Sequence, residues 1–244
     1  MQKRLAIGAI LGDIISSAPD YFDSKHEILL PYDKNNIPFN FSTSTILTIA
    51  TMDCLLHKSD MFSEFYIKWG QAYSHLLEPG TLFTNWVNNG DPTCVQHEGI
   101  IESILGISPI GYVSSNIEVC KRLAFMSHQY ISNCTESTIV SSAYVSQLVS
   151  PKTWLRFISP SGKLYKIGRL YETYTYAEIR FLLSPLYLFS SKKRDPASII
   201  AASFRWKWSI PSEELQSLVK KVLPKDMLDV IDEFNNKDWE EVYE

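Results

Sequence analysis

Apolar residues recur at helical spacing along most of this chain, and that periodicity limits its possible folds more than any other feature. Leu5 to Ile15 is an apolar helical stretch in which Gly8 and Gly12, four residues apart, share one face and could let another helix approach closely. Ile46, Leu47, Ile49, Ala50, Leu55 and Leu56 form a second apolar stripe. A third helix is predicted from about Met61 to Leu77, with others near 98–106, 115–130 and 135–149. Ala177 to Phe189 reads as helical up to a break at Pro185. Pro211 stands in the first turn of a further helix through Leu215, Leu218, Val219, Val222 and Leu223, and a last helix runs from about Lys225 to Phe234.

The gaps between these stretches carry the residues that break helices. Residues 21–40, with Pro31, Asn35, Asn36 and Pro38, read as a long loop of the kind that is usually functional or mobile. Residues 78–95 contain Pro79, Gly80, Asn88, Asn89, Gly90 and Pro92 and are expected to be turns. The stretch 150–176, tyrosine-rich and alternating from Leu164 to Tyr176, suggests a short hairpin. No internal repeat or low-complexity linker divides the 244 residues, so the expectation is one all-α, compact multi-helix domain over 1–244.

Composition narrows the function classes. Apolar residues are 45% and charged residues 20%, as in an ordinary globular protein. The net charge of −4 offers no general attraction to nucleic acid or to an anionic membrane. No run of 18 apolar residues suggests a membrane span. The basic start, Met1-Gln2-Lys3-Arg4, precedes an apolar stretch that Asp13 interrupts, so it reads as a first helix and not as a signal peptide. Cys54, Cys94, Cys120 and Cys134 lack paired metal-ligand spacing and read as reduced thiols of a cytoplasmic protein. His26, His57, His75, His97 and His128 form no ligand pair, which argues against zinc.

Three stretches, in order, resemble the ADP-ribosylglycohydrolase family. Gly8-Ala9-Ile10-Leu11-Gly12-Asp13-Ile14-Ile15 is similar to that family's opening helix. Phe41-Ser42-Thr43-Ser44-Thr45-Ile46-Leu47-Thr48-Ile49-Ala50 resembles its Phe-Thr-Asp-Asp-Thr motif with the apolar pair and Thr-x-Ala that follow. Ser108-Pro109-Ile110-Gly111-Tyr112 and, further on, Ser127-His128 stand at about the family's spacing; Phe83-x-x-Trp86 and the Ile210-Pro211 helix also fit. The resemblance implies an all-α fold with a cleft for two magnesium ions, in which ADP-ribose binds and its bond to a modified side chain is hydrolysed. It implies metal ligands from the Asp-Asp pair and from a later Asp-x-Asp-Thr motif.

This chain departs from that pattern at three places. Thr43 and Ser44 stand where the family has its aspartate pair, and only Thr45 matches. The late acidic motif has no counterpart, since Ala202 leads to Ile210 through only Ser203-Phe204-Arg205-Trp206-Lys207-Trp208-Ser209. The family's Gly-Asn-Gly turn is also replaced, by Ile100-Ile101-Glu102. Magnesium is a hard dication normally anchored by carboxylates, and neutral hydroxyls supply no charge to offset its dehydration. Glu98, Glu102, Asp13 and Asp91 are conceivable substitutes, but each reads more simply as a solvated carboxylate or a cap.

The reading is therefore a chain without catalytic or metal residues and with no cofactor, although magnesium is expected in the family. Thr43, Ser44, Thr45 and His128 are the candidate ligand residues of a degenerate cleft, weighed against helix capping for the hydroxyls and a structural role for the histidine. Phe204, Arg205, Trp206 and Trp208 are the candidate partner-binding residues, weighed against filling the space of a lost helix. The expected function is an immunity or antitoxin protein that blocks a protein partner, such as an ADP-ribosylating toxin. A divergent magnesium-dependent hydrolase and an ADP-ribose or nucleotide sensor are the alternatives.

Overall fold

The computed structural model describes residues 5–17, 39–91, 106–128, 155–158, 164–167 and 210–239. These are predominantly helical: α1 Gly8–Ser17, α2 Thr43–Leu56, α3 Phe62–Ala72, a 3-10 turn Ser74–Leu76, α4 Leu82–Asn89, α5 Ile110–Val113, α6 Ile117–His128, α7 Glu213–Val222 and α8 Lys225–Asn236. One antiparallel ribbon pairs β1, Leu155–Ile158, with β2, Leu164–Ile167, in the register Leu155 opposite Ile167 and Ile158 opposite Leu164. The hairpin lies within the 150–176 stretch in which one was expected, and its second strand begins at Leu164. No helix among the described residues is long and apolar enough to cross a membrane.

Helix α2 is the axis of the fold. It packs against α1, α3, α5 and α8, while α1 also meets α7, α3 meets α4 and α6, and α5 meets α6. Every residue of α2 from Ser44 to Leu56 is buried. The expected one-sided stripe is therefore a helix enclosed all round, as the mixture of Ile, Leu, Met, Thr and Ala on its several faces allows. Each fully buried Ile, Leu or Met contributes about 1.5–3 kcal/mol, so this helix anchors the core. Its neighbours supply Ile10, Leu11 and Ile14 from α1, Phe62 and Tyr66 from α3, and Met227, Ile231 and Phe234 from α8. Gly106 brings the chain onto its middle; a Cβ there would lie 2.5 Å from Leu47 Cβ.

Local sequence explains most helix ends. Ser42 caps α2 by accepting from Ser44 N at 3.3 Å, and Thr81 caps α4 by accepting from Thr84 N at 3.1 Å. The turns expected over 78–95 therefore enclose a real helix, Leu82–Asn89, in which Phe83, Trp86 and Val87 are buried. Gly90, at φ 66°, ends it in the left-handed conformation that glycine adopts freely. Pro211 lies outside α7, where Ser212 accepts from Leu215 N and Glu213 opens the first turn. The predicted third helix ends early, at Ala72, and continues only as the 3-10 turn.

The C-terminal helix is tied to distant parts of the chain. Asn235 Oδ1 accepts from Ala6 N at 2.8 Å, Lys237 Nζ donates to Leu56 O at 2.8 Å, and Tyr73 Oη donates to Asp226 Oδ1 at 2.6 Å. Apart from Gly106, the helices expected at 98–106, 135–149 and 177–189 lie outside the described residues.

Candidate functional site

The resemblance directs attention to the N-terminal end of α2, where Thr43, Ser44 and Thr45 form the first turn. A helix start leaves several amides without helical partners and carries partial positive charge. Here an internal carboxylate meets it. Asp13, on α1, is fully buried. Its Oδ2 accepts from Ser42 N and from Thr45 Oγ1, each at 2.7 Å. Its Oδ1 accepts from Ser42 Oγ at 2.7 Å. One carboxylate thus joins α1 to the start of α2 with both oxygens engaged. Charge-assisted hydrogen bonds of this length are the strong ones.

The surrounding chain reinforces this junction. Ser17 Oγ donates to Ile14 O at 2.6 Å and accepts from Asn40 N at 3.0 Å. Asn40 Oδ1 accepts from Phe41 N at 2.8 Å. Phe41 lies in the core and meets the Tyr73 ring edge-on at 6.0 Å. Ser17, at the end of α1, is thereby tied to Asn40, just before α2.

The three hydroxyl residues of the expected cleft separate into different roles. Thr45 is buried and committed to Asp13. Ser44 is nearly buried, and its carbonyl accepts from Thr48 Oγ1 at 2.8 Å. Thr43 is half-buried and the most accessible of the three. Asp13, weighed earlier as a substitute metal ligand or a cap, is placed as an acceptor for the α2 start and is not a solvated carboxylate. Asp91 is exposed, while Glu98 and Glu102 lie outside the described residues.

This donor set does not fit the dication that the resemblance implies. Hard cations need oxygen lone pairs turned toward them, with carboxylate charge. Asp13 turns both oxygens to N–H and O–H donors, and positions 43 and 44 carry neutral hydroxyls. Among the described residues, no three His, Cys, Asp or Glu side chains converge as a metal site would require.

A second polar cluster links α2 to the end of α6. Tyr66 Oη shares hydrogen bonds with Ser127 Oγ at 2.6 Å and Thr51 Oγ1 at 3.1 Å, all fully buried. Burial raises the Tyr66 phenol above its ordinary range, and the two hydroxyl contacts only partly oppose this. Ser127 is thus held in the core. His128 is the last residue of α6, and its side chain lies outside what the structure describes. Phe204, Arg205, Trp206, Lys207 and Trp208 also lie outside the described residues.

The sequence reading missed a third cluster, at the other end of α2. Asp53 is 4% exposed, and its Oδ2 accepts from Lys68 Nζ at 2.7 Å and Trp69 Nε1 at 2.8 Å. His57 Nδ1 lies 3.1 Å from Asp53 Oδ1 and 2.9 Å from the Asp53 carbonyl. Lys68 also stands over the Phe65 and Trp69 rings, 5.7 and 5.6 Å from their centroids. The four-residue spacing of Asp53 and His57 on a helix was the available signal. Beside Asp53, the Cys54 thiol is buried and pushed up to about 12, chiefly by desolvation and then by the Asp53 charge. At neutral pH it is a protonated, inert core residue.

No protein-family model matches this chain, and no curated protein matches it.

Proposed function

We propose that this chain is a catalytically degenerate protein of the ADP-ribosylglycohydrolase type that acts by binding, as an immunity protein occluding a partner toxin. The observation that carries this reading is the buried Asp13 carboxylate, which holds three 2.7 Å hydrogen bonds from Ser42 and Thr45. In a hydrolase of this type the start of α2 is the place for carboxylates that face outward to metal. Here its carboxylate comes from α1 and faces inward. A phosphate of ADP-ribose would have to compete with a resident anion that is already desolvated and positioned. Thr43 and Ser44 bring no charge with which to recruit magnesium, so neither water activation nor substrate orientation has its usual agent. Affinity then has to come from a broader protein surface, for which Phe204, Arg205, Trp206 and Trp208 are the residues of the right chemistry.

The test combines three measurements on the full chain. Titration calorimetry with millimolar ADP-ribose, with and without magnesium, is expected to give no binding heat. Incubation with ADP-ribosylated protein and magnesium is expected to release no ADP-ribose. A protein partner captured from the native host is expected to be an ADP-ribosylating enzyme that the chain inhibits at stoichiometric ratio, with inhibition lost in Trp206→Ala and Trp208→Ala. Chelator-sensitive release of ADP-ribose would overturn the reading in favour of a divergent hydrolase. Tight ADP-ribose binding without turnover would replace it with a sensor.

A further inference from the structure

We draw no further inference here: the strongest candidate, the surface cluster at the C-terminal end of α2 where exposed His57 and Lys68 share the buried Asp53 carboxylate beside Phe65, is accounted for by local contacts within the chain, and nothing in the structure shows what covers it.

Discussion

Helix α2 carries a buried carboxylate at each end, and the two ends solve opposite electrostatic problems. At the N-terminal end Asp13 faces the positive pole of the helix and accepts from one amide and two hydroxyls there. At the C-terminal end Asp53 belongs to the last turn, where the helix pole is negative and a carboxylate is disfavoured. It is accompanied accordingly by Lys68, His57 and the Trp69 indole. The difference extends to solvent. Thr45 is fully buried and Ser42 partly so, whereas the Lys68 and His57 side chains are 61% and 64% exposed. One end is a largely internal junction between helices. The other is a charged cluster that water and salt can reach.

This contrast is most sharply tested by removing each carboxylate. Asp13→Ala removes the acceptor of the buried Thr45 hydroxyl and of the half-buried Ser42 N–H and hydroxyl, and is expected to cost about 3–4 kcal/mol by urea denaturation. Asp53→Ala is expected to cost about 2 kcal/mol, because Lys68 and His57 can rehydrate and only the Trp69 N–H is left buried without an acceptor. If Asp53→Ala proved the more damaging, the N-terminal junction would not be the stronger tie.

Salt separates the ends differently. Raising sodium chloride from 50 mM to about 1 M should shrink the Asp53→Ala deficit, since exposed partners are screened. It should leave the Asp13→Ala deficit nearly unchanged. Equal salt responses would mean that both clusters have similar access to water.

Alkaline pH probes the Cys54 thiol beside Asp53. Its ordinary value of 9.0 is raised to about 12, so the folded state keeps the proton that the unfolded chain gives up. The thiol's contribution is fully present below pH 9 and is lost as pH rises toward about 12. Stability measured across that window should fall less steeply in Cys54→Ala than in the parent. Identical slopes would show that the thiol is not desolvated.

The smallest effect concerns the cap at this same end. Lys58 has φ 52°, a left-handed conformation unusual for a residue with a side chain. Lys58→Gly is expected to raise stability by about 0.5 kcal/mol, the relief at this angle slightly outweighing glycine's greater freedom when unfolded. Calorimetric melting would detect the rise, and a lower midpoint would point to a packing role for the lysine stem.

Much of the helical architecture was legible because its signals are local. The apolar spacing of Ile46 to Leu56 marked α2, and Ser42 marked its start to within a residue. The stretch over 78–95 misled because Pro79-Gly80 and Asn89-Gly90 are true turn residues at both borders of a helix only eight residues long. The α2 pattern read as one-sided because its threonines count as polar. In the structure Thr48 and Thr51 satisfy their hydroxyls inside the core, on the Ser44 carbonyl and on Tyr66.

The candidate site was legible only as a list. That Thr43 and Ser44 are neutral follows from residue identity, and no folding can alter it. Where the charge at the start of α2 comes from could not be read in that way. Asp13 and Ser42 are 29 residues apart, and Asp53 and Trp69 are 16 apart. Such pairs leave no periodic trace, because the force between them depends on spatial distance and desolvation and not on spacing along the chain. The sequence by itself determined most of the described helices, the caps at Ser42, Thr81 and Ser212, and the absence of acidic residues from the first turn of α2. The tertiary structure alone decided that α2 would be enclosed on every side. Its packing also determined that one distant aspartate would fill the positive end while Asp53, at the negative end, would meet Lys68, His57 and the Trp69 indole.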